Sequence, residues 1–254
     1  MKELFDKVDA LITTLAGYRP LDSGALRRLR EDFMIENTYN SNAIEGSSLT
    51  LRETAFVLMD NMTIAQKPLS HHLDAVGHKD AFEYMITLTE RDEPLTERAI
   101  KDLHSLVLTH SPQYKGVYRN LPVTIRGAAQ TPPPPYLIQP QMEALLAEYP
   151  HMLRKKHTIA AIAEFHLKFE GIHPFIDGNG RTGRLLINLE LIKHGFLPID
   201  VKFTDRDTYY SCFDHYFSEK QSPDTFTKMI LSYEIAELER YIEIVKYATE
   251  VNPI

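Results

Sequence analysis

Apolar residues recur every three or four positions along most of the chain, which is the spacing of α-helices that bury one face. The first stretch with this spacing consists of Leu4, Val8, Leu11, Ile12 and Leu15. Gly17 and Pro20 follow it and end the predicted helix. A second helix is predicted at about 24–43, and a third after Thr50, where Glu53 completes the sequence pattern of a capping box.

The same spacing predicts further helices at about 71–91, 96–110, 139–154, 158–170, 180–195, 205–219 and 223–250. Thr96 and Thr158 stand where helix N-caps belong, and Pro140 is suited to a first helical turn. The helix at 223–250 has a broad apolar face, which we interpret as part of the core, with a homodimer contact as the alternative. The chain is therefore predicted to be an all-α protein.

One segment, residues 116–138, departs from the helical pattern. Val123–Ile125 have strand character, whereas Gly127 and the run Pro132–Pro135 exclude a helix. We predict a short β-hairpin or extended flap followed by polyproline. The alternative is a rigid linker between domains.

The length of 254 residues allows one substantial core, and we predict a single domain. Within it we expect N-terminal helices at 1–65, a central region at 66–220 and a C-terminal helix at 221–254. Lys and Arg number 28 against 35 Asp and Glu, which gives a formal net charge of −7. This acidic excess argues against a general binder of nucleic acid or of anionic membranes.

Cys212 is the only cysteine, so a disulfide framework or a zinc cluster of cysteines within the chain is excluded. Its neighbours Phe213 and Tyr216 favour a small apolar core residue. The N-terminal stretch carries too many charges for a signal peptide, and no run approaches the roughly 20 apolar residues of a membrane span. These features predict a soluble protein of the cytoplasm, a reducing compartment.

The segment that carries the most chemistry is residues 173–184, His-Pro-Phe-Ile-Asp-Gly-Asn-Gly-Arg-Thr-Gly-Arg, which we call the signature segment. It connects two predicted helices through a turn rich in glycine. Glycines let backbone amides approach a ligand, and the next helix begins with unpaired N–H groups, so an anion site is expected. Arg181 and Arg184 are three residues apart on one helix face and suited to bind phosphate oxygens.

Two further residues of the signature segment add reactivity to this anion site. Asp177 is suited to hold Mg²⁺, which prefers oxygen ligands and bridges substrate phosphates. His173 has a pKa range that allows proton abstraction near neutral pH. Each residue alone has a common structural role, such as packing or turn formation. Their conjunction predicts phosphoryl or nucleotidyl transfer.

The signature segment resembles that of the Fic family, His-x-Phe-x-(Asp/Glu)-Gly-Asn-Gly-Arg-x-x-Arg, and every specified position matches. The likeness extends to residues 164–166 before it, to 185–188 after it and to the segment 116–138, so that it covers about 30–220. It implies a helical domain with a β-hairpin flap over the active site. It also implies transfer of AMP from ATP to a Ser, Thr or Tyr hydroxyl of a target protein or of the chain itself.

The resemblance implies a role for each matching residue. His173 would be the base, and Asp177 would hold Mg²⁺ at the α- and β-phosphates. Arg181 would bind phosphates, and Arg184 the γ-phosphate. The implied anion hole consists of Gly178, Asn179 and Gly180.

Two more groups of residues receive roles from the resemblance. The flap residues Val123, Thr124 and Ile125 would dock the target as an added strand. Tyr209 and Tyr210 stand where many Fic proteins place an aromatic pair near the nucleotide base. The alternative for this pair is a place in the core, since Phe213 and Tyr216 follow at helical spacing.

Residues 41–46, Ser-Asn-Ala-Ile-Glu-Gly, resemble the inhibitory motif of the same family, (Ser/Thr)-x-x-x-Glu-(Gly/Asn). The inhibitory residues would be Ser41 and Glu45. The resemblance implies that Glu45 pairs with Arg184 in place of the γ-phosphate, so that the enzyme is autoinhibited. A second implied use of Glu45 is to orient a water that removes AMP from the modified target.

Three alternatives stay open at the sequence level. The donor could be another nucleotide or a phosphocholine carrier, although Arg184 favours a triphosphate. The chain could be a nucleotide-binding regulatory module without turnover, although this would not need His173. A metal-dependent hydrolase could use His166 and His173, but no third ligand is evident. The predicted partners are ATP and a protein target, and neither nucleic acid nor a membrane.

Overall fold

The computed structural model describes residues 1–18, 23–91, 93–125, 130–218 and 222–251. Its helices are α1 (Lys2–Ala16), α2 (Ser23–Ile44), α3 (Leu51–Met59), α4 (Leu69–Thr89), α5 (Glu97–Val107), α6 (Ile138–Lys155), α7 (Thr158–Ile172), α8 (Asn179–Lys193), α9 (Arg206–Phe217) and α10 (Asp224–Val251). Short 3-10 turns at Pro135–Leu137 and Phe203–Asp205 precede α6 and α9. No β-strand occurs within the described ranges, which confirms the all-α class, and every predicted helix has an observed counterpart.

Two of the three predicted N-caps are confirmed. At α3, Thr50 Oγ1 accepts from the N–H of Glu53 at 3.2 Å and Glu53 Oε2 accepts from the N–H of Thr50 at 2.8 Å, which completes the capping box. At α5, Thr96 accepts from Ala99 N. The prediction for α7 was wrong by one residue, because the side chain of His157 caps this helix and Thr158 is its first residue.

Helices α7 and α8 lie at the centre of the molecule. α7 packs against α6, α8 and α10, and α8 also packs against α2, α4 and α5. α8 is buried along nearly its whole length, although it carries Arg181, Arg184, Asn188 and Glu190. Because burial of charged groups is costly, these side chains require specific partners or a function.

The apolar face of α10 completes the core, as interpreted from the sequence. α10 packs against α1, α7 and α9. Its buried residues include Phe226, Ile230, Leu231, Ile235, Leu238 and Ile242. Within the described residues, no helix is both long and apolar enough to cross a membrane.

The second half of α2 is polar and nevertheless buried, because its side chains bond to a loop far along the chain. Asn37 and Asn40 donate from Nδ2 to the carboxylate of Asp200 at 3.2 and 2.7 Å. Asn40 Oδ1 accepts from the N–H of Phe203 at 2.9 Å. These contacts fix the end of α2, which contains the first four residues of the segment 41–46.

The predicted β-hairpin in residues 116–138 is not seen. Val123–Ile125 form no strand, and Arg126–Ala129 lie outside the described residues. The β-branched triplet has strand propensity, but a two-stranded hairpin alone is only marginally stable in water. The segment is held by Arg119 instead, whose Nη1 and Nη2 donate to the carbonyls of Leu121 and Pro133 at 3.1 and 2.7 Å.

Candidate active site

The signature segment begins where α7 ends. His173 has a left-handed backbone conformation, with φ 50° and ψ 60°. Such a conformation is costly for a residue with a side chain and persists where the surroundings hold it, often at functional sites. The N–H of His173 donates to the carbonyl of Phe169 at 2.9 Å, and Pro174 then prevents the helix from continuing.

Asn179 closes the loop between the two central helices. Its Oδ1 accepts from the N–H of Phe175 at 2.9 Å, and its Nδ2 donates to the carbonyl of the same residue at 2.9 Å. The side chain is fully buried in these bonds. Of the predicted anion-hole residues, Asn179 therefore has only its backbone left to face an anion, and its amide group determines the shape of the loop.

The side chain of His104, on α5, packs against the loop and bonds to it. Its ring stacks on Phe175 with centroids 3.6 Å apart and an interplanar angle of 4°. Nδ1 accepts from the N–H of Gly116 at 2.9 Å, so the proton lies on Nε2, which donates to the carbonyl of Asp177 at 2.9 Å. Burial lowers the pKa of His104 to about 4, which keeps this imidazole neutral.

Arg119 connects the start of the flap segment to His173. Its Nε donates to the carbonyl of His173 at 2.8 Å, and its backbone N–H donates to the carbonyl of Pro174 at 2.9 Å. The residue is only 4% exposed. Any displacement of residues 119–121 is thus transmitted to the backbone of His173.

The first turn of α8 lies where the anion site is predicted. Gly178 is the N-cap, with φ 76°, a conformation that favours glycine. A Cβ on Gly180 would overlap Oε1 of Glu45 and would lie 3.0 Å from Nη1 of Arg184. The carboxylate of Glu45 therefore lies directly against the backbone of Gly180, and a side chain at this position would require the carboxylate to move.

Arg184 binds this carboxylate. Its Nη2 lies 2.7 Å from Glu45 Oε1, its Nε donates to Ser41 Oγ at 3.0 Å, and Nη2 also donates to the carbonyl of Ser41 at 2.9 Å. The arginine side chain is 4% exposed and that of Glu45 is 35% exposed. Burial alone would lower the pKa of Arg184, but the charge and hydrogen bond of Glu45, together with the contributions of Tyr209 and Tyr210, raise the pKa above its usual value.

Arg181 has acidic partners of its own. Its Nη1 lies 2.6 Å from Asp74 Oδ1, and its Nη2 lies 3.4 Å from Asp177 Oδ1. Asp74 of α4 also lies 3.2 Å from Nδ1 of His110. The guanidinium of Arg181 is thereby fixed at the edge of the anion site without a substrate.

Asp177 is the exposed acid of the site. Its Oδ1 accepts from the N–H of Gly178 at 2.6 Å, and its side chain is 61% exposed. Its hydrogen bonds within the described residues use Oδ1, and none of them uses Oδ2. A carboxylate with one free oxygen beside a phosphate site suits Mg²⁺, which usually takes few protein ligands together with substrate phosphates.

His173 has the protonation state of a base. Burial lowers its pKa to about 4, and the positive charge of Arg119 adds to this effect. The imidazole is therefore neutral at pH 7 and able to accept a proton. Its Nδ1 has no hydrogen-bond partner among the described residues.

The two predicted tyrosines differ in their surroundings. Tyr209 is 1% exposed and its hydroxyl bonds to Nε2 of His166 at 2.9 Å, below Arg184. Tyr210 is partly exposed, and its ring lies 4.7 Å from the guanidinium of Arg206. Tyr209 thus has the surroundings of a core residue, and Tyr210 those of a surface contact.

The structure does not favour the two-histidine hydrolase. His166 is buried and its Nε2 is bonded to Tyr209. Over the described part of the chain, no three His, Cys, Asp or Glu side chains are grouped so as to hold a metal ion.

Arg181 and the loop are held by three residues that were not predicted from the sequence, Asp74, His104 and Arg119. None of them lies in a recognisable motif, and each is more than 50 residues from the group it contacts in the signature segment. Only the unusual polarity of α2 indicated that long-range partners exist.

Known proteins resemble this chain in sequence. A family model described as Fic/DOC family matches residues 94–191. A protein adenylyltransferase Fic of Nematostella vectensis is 35% identical over 215 residues, which cover 82% of this chain and 49% of the relative. The chain spans half or less of the length of the curated relatives that it matches.

Solved structures resemble it as well. A Fic domain containing signaling protein from Bacteroides thetaiotaomicron is 26% identical with a TM-score of 0.85, and the match covers 94% of this chain and 97% of that chain. A Fic-1 fragment from C. elegans is 26% identical with a TM-score of 0.83, over 95% of this chain and 71% of that chain.

Proposed function

The chain contains a Fic/DOC family domain, and on this premise we propose that it is a protein adenylyltransferase that moves AMP from ATP to a Ser, Thr or Tyr hydroxyl of a target protein. The resemblance of the signature segment and the names of the relatives support this activity. The contacts within the site support a role for each residue.

The observation that carries the proposal is the carboxylate of Glu45 at the N-terminus of α8. It lies against Gly180 and 2.7 Å from Nη2 of the buried Arg184. A helix N-terminus with a glycine and an arginine binds phosphate well, and here a carboxylate of the chain stands in for the phosphate. This favours a nucleoside triphosphate as the donor over a phosphocholine carrier, because the terminal phosphate would take the place of Glu45.

His173 is the proposed base. Its neutral imidazole accepts the proton of the target hydroxyl, whose oxygen bonds to the α-phosphorus of ATP. The bond from the α-phosphorus to the bridging oxygen breaks, and pyrophosphate leaves. Arg181 and the backbone of residues 178–180 stabilise the charge on the phosphates.

Asp177 is the proposed ligand of Mg²⁺, since its side chain is 61% exposed beside the first turn of α8 and its hydrogen bonds among the described residues use Oδ1 alone. Bound Mg²⁺ would neutralise phosphate charge. Arg181, which also contacts Asp177, orients this carboxylate.

Glu45 and Ser41 are the proposed inhibitory residues. With Glu45 on Arg184, the γ-phosphate lacks its partner and the α-phosphate is misaligned for attack. A bias of about 3 kcal/mol toward this state would lower the competent fraction roughly 150-fold.

Removal of AMP from the target is the second candidate activity. It rests on one observation: Glu45 accepts the hydrogen bond of Arg184 through Oε1, and Oε2 makes no hydrogen bond within the described residues. This oxygen is suited to orient an attacking water. Incubation of AMP-modified protein with wild type and Glu45→Gln tests it: faster loss of AMP with wild type supports removal, and equal loss refutes it.

The remaining site residues have more general roles. Val123, Thr124 and Ile125 are the proposed docking segment; they belong to no helix or strand, and their β-branched side chains favour pairing with a target as an added strand. Tyr210 is the better candidate for contact with the adenine base, because the hydroxyl of Tyr209 is committed to His166.

The test of the proposed function is transfer of labelled AMP from ATP–Mg²⁺ to the protein itself or to lysate proteins, followed by mass spectrometry. Glu45→Gly should raise labelling at least severalfold, because it removes the competitor of the γ-phosphate. Equal labelling of wild type and variant would refute inhibition by Glu45, and absence of labelling in both would refute the transferase.

Two further variants assign roles. His173→Ala in the Glu45→Gly background should abolish labelling while ATP still binds; loss of binding as well would make His173 structural. Asp177→Ala should remove the stimulation by Mg²⁺, and retained stimulation would exclude it as the ligand.

A further inference from the structure

Glu170 is a buried acid that the proposed chemistry does not use. It lies on α7, one helical turn before His173, and its side chain is 11% exposed. Its Oε1 has no hydrogen-bond partner among the described residues. An unpaired polar atom in the interior is costly and requires an explanation.

The space for this carboxyl comes from a glycine of the signature segment. A Cβ on Gly183 would lie 2.6 Å from Oε1 of Glu170 and 2.7 Å from the ring of His166. Gly183 is an unspecified position of the family signature. In this chain a glycine there admits a carboxyl between α7 and α8, directly beside the reactive histidine.

The other oxygen of Glu170 faces that histidine. Oε2 lies 3.7 Å from Nδ1 of His173. This separation is too long for a hydrogen bond, but a movement of under about 1 Å would form one. Catalytic hydrogen bonds are often long before substrate binds and shorten in the complex.

The protonation state of both groups suits such a bond. Burial raises the pKa of Glu170 to about 8, and the negative charge of Glu45 adds to this effect while Arg184 opposes it. Other titratable groups around it are His166 and His173 on α7 and Tyr209 on α9, all buried and uncharged at pH 7. The carboxyl is therefore protonated at neutral pH in the presence of Glu45.

A base that accepts a proton on Nε2 must carry its own proton on Nδ1, and Nδ1–H needs an acceptor. No described residue lies in hydrogen-bond geometry with Nδ1 of His173, and two acceptors of Glu170 lie near the ring, its backbone carbonyl, which raises the pKa of His173, and Oε2 at 3.7 Å from Nδ1. The carbonyl oxygen of a protonated carboxyl accepts a hydrogen bond as an amide oxygen does.

We propose that Glu170 is the positioning residue of His173: its Oε2 accepts the Nδ1–H of the imidazole and holds the Nε2 lone pair toward the incoming hydroxyl. This inference rests on the proposed transferase activity and deepens it. Nε2 takes the proton from the hydroxyl as the oxygen bonds to the α-phosphorus and pyrophosphate leaves. Glu170 itself exchanges no proton in this step.

The inference differs from a purely structural role for Glu170 in what it requires of the side chain. A glutamine keeps both the volume and an acceptor oxygen, whereas a leucine keeps most of the volume and has no acceptor. A structural role depends on packing, and leucine packs well in an apolar interior. A positioning role depends on the acceptor.

The test compares Glu170→Gln and Glu170→Leu in the full chain with Glu45→Gly. Leucine should lower kcat for AMP transfer roughly tenfold to hundredfold, the loss seen when outer partners of metal-bound histidines are removed, with little change in KM for ATP. Glutamine should restore most of kcat. Equal kcat for the two variants, or a loss confined to KM, would overturn the proposal.

A second measurement needs no turnover. ¹⁵N-NMR of histidine-labelled protein with ATP–Mg²⁺ reports which ring nitrogen of His173 carries the proton, with His173→Ala to assign the signals. We expect the proton on Nδ1 in Glu45→Gly alone and in the chain that also carries Glu170→Gln. In the chain with Glu170→Leu we expect a mixture of the two tautomers. The same mixture in all three would refute positioning. If Glu45→Gly transfers no AMP, the transferase proposal fails, whereas the NMR comparison still decides whether Glu170 orients His173.

Discussion

Removal of the contact between Glu45 and Arg184 should destabilise the protein more than removal of an exposed ion pair does. Among the residues that the structure describes, two ion pairs have the same N–O distance of 2.7 Å, Arg184 with Glu45 and Lys7 with Glu239. The cation is 4% exposed in the first pair and 50% exposed in the second. Glu45→Gln and Glu239→Gln are therefore matched: each removes one carboxylate charge and keeps the side-chain shape.

The expected magnitudes follow from this difference in burial. Breaking a fully buried pair costs about 3–5 kcal/mol, because one charge stays buried without a partner. Glu45 is about a third exposed and Arg184 keeps its bonds to Ser41, so solvent screening reduces the expected cost of Glu45→Gln to about 1–2 kcal/mol. Glu239→Gln should cost less than about 0.5 kcal/mol.

Urea denaturation of the three proteins measures these costs. The m-value for urea should be unchanged. In thermal denaturation, about 1–2 kcal/mol in a protein of this size corresponds to a decrease in Tm of roughly 2–8 °C. Saturation with ATP–Mg²⁺ should stabilise Glu45→Gln more than wild type, because in wild type the γ-phosphate must first displace the carboxylate. Equal destabilisation of the two variants, or equal stabilisation of wild type and Glu45→Gln by ATP, would refute this reasoning, in which the γ-phosphate and the carboxylate of Glu45 compete for Arg184.

Two further predictions concern other parts of the molecule. Burial raises the pKa of Glu234 to about 8, against 4.5 in the unfolded chain, so its contribution is present below pH 4.5 and is lost as the pH rises to 8. Urea titrations should show the stability of wild type relative to Glu234→Gln falling by up to about 1.4 kcal/mol per pH unit in this window, and parallel curves would contradict it. In the docking segment, Ile125→Pro in the Glu45→Gly background should reduce labelling of target proteins while ATP binding, measured by calorimetry, is retained. Unchanged labelling would exclude main-chain pairing at this position, and Ile125→Val serves as the control.

The helices and the signature loop could be predicted from the sequence, because both depend on neighbours in the chain. The 3–4 spacing of apolar residues specifies which face of each helix is buried, and Thr50 with Glu53 specifies a helix start. Gly178 likewise acts locally, as the N-cap of the helix that follows it. Arg184 does not, because its partners Ser41 and Glu45 lie 143 and 139 positions away. The site contacts of Glu45 followed only from the family resemblance.

The supporting residues could not be predicted, because their partners are distant in sequence. Asp200 accepts from Asn40 across 160 positions, and Arg181 bonds to Asp74 across 107. Nothing near Asp74 or Arg119 distinguishes it from an ordinary surface charge. The predicted β-hairpin is not seen in the described residues for a related reason: Val123–Ile125 have the propensity for a strand, but a strand also needs a partner to pair with.

The order of the elements along the chain has a consequence for biosynthesis. α2 and Glu45 are synthesised well before α8, and Asn40 meets Asp200 only after the loop following α8 has been made. Because folding begins as the chain emerges, helix α8 would dock onto a Glu45 that has already been made. The nascent chain would then never pass through a stage in which Arg184 is folded and Glu45 is still absent, and if Glu45 inhibits as proposed, the site would never be without its inhibitor during synthesis.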